Sequence, residues 1–407
     1  MKRVEQHIIK KGDARYGILD NEAFKSKNLY NATLYAVRQQ FFKDGRFIRY
    51  ARLQHDFQEQ CQFDYRQLPA KVAQWTMKMV DQNFKAFIKA SKEYEKYPSK
   101  FTGKPKLPKY LDKKNGRSLI TYTSQAISKK HLEQRGVIKL SGIDVEVPTK
   151  VRYEQLNQVC VVRGLYTYVI EVIYDNGIGE FIPNDNGRYA AIDLGVGNFA
   201  AVTSNVEGFV PFIISGRGIK SINQFYNKQV AERKPIAMKC NGKRTTKAIR
   251  MITNKRNRRM KDAMHKASRL VVNQLVSNDI RTLIVGYNKG WKQGINKRDD
   301  VNQNFVCIPY HQFIKYLKYK CEEAGIEFMT VNESHTSKCS FLDMEEVCHH
   351  EEYVGRRVHR GLFRSKDGRK INADVNASYN IMRKGKPKAI TVYGVGAALV
   401  QPKILRI

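Results

Sequence analysis

The sequence predicts a multidomain chain, α+β in its first half and α/β in its second. Three observations carry that reading. At 407 residues the chain can bury two or three cores. Short β segments stand on both sides of a long helical stretch before residue 185. From Arg188 onward strands and helices alternate, the pattern of a layered α/β domain.

In the first half, residues 1–15 read as a short strand and a turn at Lys11-Gly12-Asp13, and residues 20–97 as helix. Pro69 suits a first helical turn. Val72, Trp75, Met79, Val80, Phe84, Phe87 and Ile88 follow at helical spacing, the mark of a core-facing stripe. Lys71, Lys78, Lys85, Lys89 and Lys92 occupy the other face, placed to follow a phosphate backbone. Residues 96–117 mix three prolines and two glycines with eight basic residues, which predicts an exposed basic loop. Val159–Val162 and Leu165–Tyr174 flank Arg163-Gly164 as a hairpin. The first 185 residues are thus a β module interrupted by a helical insertion.

In the second half, Ala190-Ala191-Ile192-Asp193-Leu194-Gly195 reads as a buried strand ending in an acid. Phe199–Ser204 and Val210–Ser215 complete an antiparallel meander. A long basic helical region covers 217–279, with 15 Lys or Arg against Glu232 and Asp262 between 228 and 270. Leu283-Ile284-Val285 is a second buried strand. A helix near 309–324 leads to a third, Glu327–Val331, and the last helix begins close to Asp374. Three strands, helix, strand, helix, strand, helix is the order of an RNase H-like layout.

Charge points to the partner. Seventy-three Lys and Arg against 38 Asp and Glu leave +35. A small domain with an ordinary solvated surface carries about 2–8 net charges. A surplus this large repels itself unless a polyanion compensates it. Nucleic acid is expected ahead of an anionic membrane, and 22 tyrosines with 19 phenylalanines supply rings on which bases stack. No run approaches 18 consecutive apolar residues and the N-terminus has no apolar signal core, so a cytoplasmic protein with no membrane partner is expected. Seven cysteines without a C-x-x-C pair speak against a disulfide framework and make a zinc site near Cys339, Cys348, His349 and His350 unexpected.

Carboxylates carry the chemistry. Two-metal nucleases need acids converging on two divalent ions about 4 Å apart, and hard cations prefer carboxylate oxygen. Asp193 ends an apolar strand, where an acid has to be paired or metal-bound. Gly195 and Gly197 after it would give room to a nucleic-acid strand. Asp374 lies in Ile371-Asn372-Ala373-Asp374-Val375-Asn376-Ala377, where it can cap a helix, face a metal, or do both.

Asp193-Leu194-Gly195 and Asp374-Val375-Asn376-Ala377, with Thr336-Ser337-Lys338-Cys339 between them, resemble the TnpB proteins of insertion sequences, whose nuclease domain recurs in type V CRISPR effectors. The resemblance implies a β-barrel-like wedge (1–18 and 98–185) with a helical recognition insert (19–97), a RuvC/RNase H-like nuclease domain (186–384) with an insert at 338–370, and a C-terminal tail (385–407). It implies an RNA-guided DNA endonuclease that uses two Mg²⁺ ions, or Mn²⁺ as a substitute, with a guide RNA and double-stranded target DNA as partners, as a monomer per guide RNA. A short motif flanking the target is read by the protein.

Two departures from the family pattern stand out. The family's catalytic Glu ends the strand after the long helix, but here the residues are Ile284-Val285-Gly286-Tyr287-Asn288. Glu333, after the next strand, is the expected substitute; two strand spacings put its backbone roughly 10 Å from the usual corner, within reach of a long side chain and a metal. Asp299, Asp300, Glu345 and Glu346 lie in polar stretches with no strand to aim them. The family's paired cysteines are also missing: Leu342 stands where Cys339 should find its partner, and 361–368 hold no cysteine. Packing of Phe341, Leu342, Val347, Tyr353, Leu362 and Phe363 is expected to hold the insert without zinc.

The expected catalytic and metal-binding set is therefore Asp193, Glu333 and Asp374. Expected nucleic-acid contacts are Lys104, Lys106 and Lys109 in the basic loop, Arg244, Arg250, Lys255, Arg256, Arg258, Arg259 and Lys266 in the long helical region, and Arg356, Arg357, Arg360, Arg364 and Lys366 in the insert. Three alternatives stay open: a compact type V effector of the same chemistry, a nuclease-inactive RNA-guided repressor, and a transposase acting without RNA.

Overall fold

A computed structural model describes residues 2–177, 179, 184–242, 244–288, 306–389 and 400–407. The chain forms two units, Met1–Gly179 and Glu180–Ile407. No helix among the described residues is long and apolar enough to cross a membrane.

In the first unit, β1 (Lys2–Lys10) leads into α1 (Arg15–Asp44), α2 (Tyr50–Glu59), α3 (Phe63–Arg66) and α4 (Ala70–Lys96). Gly45, at φ 70°, ends α1 by returning its N–H to the Phe41 carbonyl, a left-handed cap that glycine adopts without strain. In α4 the buried stripe is Val72, Ala73, Thr76, Met77, Val80 and Phe84, while Trp75, Met79, Phe87 and Ile88 are only half-buried. Lys71, Lys78, Lys85, Lys89 and Lys92 are exposed.

Next come β2 (Ile120–Thr123), α5 (Lys129–Arg135), β3 (Val137–Lys139), β4 (Glu146–Pro148), β5 (Leu156–Arg163) and β6 (Thr167–Asp175). The main sheet is antiparallel in the order β1-β6-β5-β2, and β3 pairs β4 separately. The barrel-like wedge expected here is thus an open sheet; four strands are too few to close around a packed interior. α1 and α4 share one hydrophobic core with it through Leu19, Leu29, Val72, Phe84, Tyr122 and Tyr168.

The basic loop is less free than its composition suggests. Leu107 and Leu111 pack on this core, and the Asn31 side chain bonds both the N–H and the C=O of Leu111 at 2.9 Å. Lys104, Lys106 and Lys109 remain exposed.

The second unit is built on one six-stranded sheet. β7 (Tyr189–Leu194), β8 (Asn198–Ser204) and β9 (Phe212–Ser215) form the antiparallel meander. α6 (Arg217–Asn241) and α7 (Lys247–Ser277) then cross to β10 (Thr282–Gly286), parallel to β7. The basic helical region is therefore two helices, parted at Gly242 (φ 62°) and restarted by the Thr246 hydroxyl accepting the Ile249 N–H. α8 (Tyr310–Glu323) leads to β11 (Glu327–Val331), parallel to β10. With β15 (Lys403–Leu405) at its edge, the sheet order is β11-β10-β7-β8-β9-β15. This last strand belongs to what was expected to be only a tail and pairs in parallel with β9.

The insert forms a small antiparallel sheet of β12 (Arg356–His359), β13 (Leu362–Arg364) and β14 (Lys370–Asn372), and α9 (Ala373–Gly385) follows. Phe341, Leu342 and Phe363 are buried with α9, and Phe341 stacks on Tyr379 at 4.4 Å. Apolar packing is only part of what holds it. The buried Glu345 carboxylate accepts the Ser340 N–H at 2.6 Å and the Val354 N–H at 3.0 Å, tying two segments of the insert together. Asn376 of α9 accepts the Phe341 N–H at 2.9 Å and donates to the Cys339 carbonyl at 2.9 Å, while Asn380 donates to the Thr336 and Cys339 carbonyls. Glu345 is thus a fastening residue.

Glu345→Ala would leave two N–H groups without an acceptor, at about 1–3 kcal/mol for each buried group. Thermal unfolding of the full chain should move to lower temperature, with a smaller drop for Glu345→Gln. An unchanged midpoint in the alanine variant would remove Glu345 from this role.

Candidate active site

β7 aims Asp193. Its neighbours Ala191, Ile192 and Leu194 are buried, and Asp193 is half-buried opposite Ala201 of β8. The parallel register that pairs Val285 of β10 with Ile192 brings Gly286 level with Asp193, and Gly286 in turn pairs Val331 of β11. Two residues beyond Val331 the chain turns at Glu333.

Glu333 reaches back over Gly286. A Cβ built on Gly286 would lie 3.0 Å from Glu333 Oε2 and 2.5 Å from Ile381 Cδ1. The space beside Gly286 is filled by the Glu333 carboxylate and an Ile381 methyl, so a side chain at 286 would have to displace both. The Glu333 backbone is pinned as well. Its N–H donates to Asn288 Oδ1 at 3.0 Å, and its carbonyl accepts the Thr336 hydroxyl at 2.8 Å.

Asp374 comes from the first turn of α9. The cap is Asn372, whose Oδ1 accepts the Asp374 N–H at 3.0 Å and the Val375 N–H at 3.3 Å. With capping assigned to Asn372, the Asp374 carboxylate turns toward the sheet. Asn198, at the start of β8, donates its side-chain N–H to Asp374 Oδ2, and Arg357 lies 3.4 Å from Oδ1.

The three acids feel one another. Burial first, then the charges of Asp374 and Glu333, push the Asp193 acid well above the usual carboxylate range, and Arg357 opposes the shift. Burial and the same Asp193 and Glu333 charges raise the buried Tyr310 phenol, whose hydroxyl donates to the Gly195 carbonyl at 2.8 Å. Tyr310 gave no sign in the sequence beyond opening α8 after Pro309. Among the described residues no three His, Cys, Asp or Glu side chains are gathered closely enough to hold a metal ion on their own. Magnesium does not require such a cage, because it keeps several waters and takes ligands from phosphates as well as from one or two carboxylates. An all-oxygen, mutually repelling acid set suits it.

Of the glycines in the β7–β8 turn, Gly195 is required by the turn itself, whereas Gly197 borders two side-chain cations. A Cβ at Gly195 would meet the Asn198 carbonyl at 2.5 Å. One at Gly197 would meet the Arg360 guanidinium at 3.4 Å and Lys220 Nζ at 3.7 Å.

Of the expected nucleic-acid contacts, Arg244, Arg250, Lys255, Arg258, Arg259 and Lys266 are exposed along α7 and its approach. Arg256 is engaged internally: its guanidinium bonds Asn223 Oδ1 at 2.7 and 2.9 Å and the Cys307 carbonyl. In the insert Arg356, Arg357, Arg360 and Lys366 are exposed and Arg364 is half-buried. Glu346 is exposed; Asp299 and Asp300 lie outside the described residues.

The probable transposase family OrfB_IS605 matches residues 182–292, and the Cas12f1-like TNB domain matches residues 310–381. A comparison with the curated proteins finds no match. Among solved structures, the cryo-EM Cas12f1–sgRNA–target DNA complex is 16% identical over 90% of this chain and 82% of that one, with a TM-score of 0.52. A CRISPR–Cas12f ternary complex is 16% identical over 89% and 81%, with a TM-score of 0.37. The mini-RNA-guided endonuclease CRISPR-Cas_phi3 is 11% identical over 97% and 94%, with a TM-score of 0.49. The two family matches relate the chain to TnpB-like proteins and type V effectors, and the first structural match shows a shared multidomain α+β fold.

Because Asp193 binds its proton more tightly folded than unfolded, its contribution to stability is complete below its unfolded pKa and is lost as pH rises through the folded one. In EDTA at neutral pH, Asp193→Asn should therefore raise the melting temperature, and the gain should vanish in acid. A variant that melts lower than the parent at neutral pH would show that the repulsion is not felt.

Proposed function

We propose that the chain is an RNA-guided DNA endonuclease that hydrolyses phosphodiester bonds next to a short flanking motif. The observation that carries this reading is the convergence of Asp193 on β7, Glu333 just after β11 and Asp374 in the first turn of α9, with β10 and its Gly286 lying between the first two. The relation to TnpB-like proteins, the RNA and DNA in the Cas12f1 complex whose fold the chain shares, and the net charge of +35 support it. Under this reading the second unit is a RuvC-like, RNase H-like nuclease domain. The first supplies wedge and recognition surfaces for the guide RNA and the double-stranded target, one chain per guide RNA.

Two magnesium ions, or manganese in their place, would supply an activated water and a stabilised leaving oxygen. Asp193, Glu333 and Asp374 would hold them. The protein's own contribution is placement. The backbone bonds to Asn288 and Thr336 hold Glu333, while Asn198 and Arg357 orient Asp374. Burial and repulsion make Asp193 favour any cation, whether a proton or a metal. The exposed cations of α7 and the basic loop would carry nucleic acid by its phosphates, since base pairing supplies the sequence specificity.

A nuclease-inactive RNA-guided repressor is the second reading, favoured by the absence of an acid at Gly286. Chain purified with its co-expressed RNA should cut DNA with Mg²⁺ and not with EDTA, and Asp193→Ala should lose all cutting. Glu333→Gln should lose at least about 100-fold in rate, the scale of one essential acid–base or electrostatic group, while still binding target. Full cutting by Glu333→Gln would remove it from the site, and binding without cutting by the parent chain would establish the repressor.

A further inference from the structure

The β7–β8 turn faces the acids on one side and two cations on the other. Asn198, at its end, bonds Asp374. At Gly197, one residue earlier, the Arg360 guanidinium and Lys220 Nζ both lie within 4 Å of where a Cβ would stand. They come from distant parts of the sequence: Lys220 from the first turn of α6, Arg360 from the turn joining β12 to β13. Both distances are ordinary contact distances, so the two cations converge on the open side of this residue.

Two cations brought this close repel each other, and an anion between them would turn that repulsion into attraction. Some helical lysines of this chain have one within their own helix, as in Lys85 with Asp81 at 2.6 Å and Lys266 with Asp262 at 2.8 Å. Among the described residues neither Lys220 nor Arg360 forms an ion pair. Lys220 is half-buried, and burial together with the charges of Arg360 and Arg217 lowers its pKa. A planar guanidinium and a compact ammonium converging on one point suit the non-bridging oxygens of a phosphodiester. Each would be a charge-assisted hydrogen bond made where like charges now oppose each other.

We propose that Lys220 and Arg360 together bind one backbone phosphate of the nucleic-acid strand, beside the phosphate presented to Asp193, Glu333 and Asp374. Gly197 marks the point on which the two cations converge. The identity of the strand rests on the nuclease reading; the phosphate site does not require cleavage. Lys220 acts by positioning, and it links the insert to α6 only when a strand is present.

The test uses the full chain in EDTA with a single-stranded oligodeoxythymidylate as probe. Lysines are acetylated with and without the oligonucleotide, and modification at Lys220 is read by mass spectrometry. Lys220 should be protected by the oligonucleotide in the parent chain and lose that protection in Arg360→Ala. The slope of log affinity against log salt should fall by about 0.7 in Lys220→Ala, the value of one single-strand phosphate contact, and recover in Lys220→Arg, with melting temperatures unchanged. Equal labelling with and without saturating oligonucleotide, or a slope that Lys220→Ala leaves unchanged, would overturn the proposal. Cleavage enters none of these readouts. A chain that protects Lys220 but never cuts keeps the phosphate site and refutes the endonuclease, and one that cuts with Lys220 unprotected does the reverse.

Discussion

Holding three carboxylates at one end of a sheet works against their mutual repulsion, and the architecture of the second unit follows from how that is done. Burial and the charges of Glu333 and Asp374 raise the Asp193 acid, so the elements carrying them must be fastened by something stronger than the acids' preference to part. Parallel pairing of β7, β10 and β11 fixes two of them. The third depends on α9, which is locked to the sheet by polar contacts in an otherwise apolar layer. Ser378 donates to the Ala191 carbonyl at 2.9 Å and lies 2.9 Å from the Thr203 hydroxyl. Ala191 is two residues from Asp193, and Ser378 one helical turn from Asp374. A single buried hydroxyl thereby couples the positions of two acids.

The insert extends the same logic. Asn376 and Asn380, also on α9, hold the backbone at Cys339 and Phe341, and Glu345 ties the chain at Ser340 to that at Val354. Buried amides and a carboxylate that find all their partners define one arrangement, because any slip leaves a polar group without a bond. The insert in turn delivers Arg357 to Asp374 and Arg360 to Gly197. Fold and site are therefore not separable here: residues that fasten the insert also place the cations around the acids.

Gly286 illustrates how the space beside a glycine is filled from neighbouring elements. β10 ends there without an acid, and Glu333, after the adjacent β11, brings its carboxylate beside Gly286, with Ile381 closing the remainder. Reach across parallel strands is what makes this available: neighbouring strands are about 4.8 Å apart, and a glutamate spans that distance where an aspartate falls short.

Much of this was legible in the residues themselves. The apolar strand ending in Asp193, the order of strands and helices, the excess of lysine and arginine and the empty position at Gly286 are local patterns, and local patterns survive being read one residue at a time. Hydrophobic periodicity determined which faces are buried, and side-chain length determined that Glu333 was the acid able to reach. Tertiary structure alone decided the rest. That Glu345 is buried and fastening and that Asn372 caps α9 in place of Asp374 depend on which nearby N–H groups the fold turns toward them, while Arg256 being spent inside the protein, the open sheet of the first unit and Lys403–Leu405 completing the second sheet depend on partners dozens to hundreds of residues away. A polar side chain carries no mark of whether water or a distant backbone group will satisfy it. Only the folded chain makes that choice, and with it the pairing of Lys220 and Arg360 over Gly197.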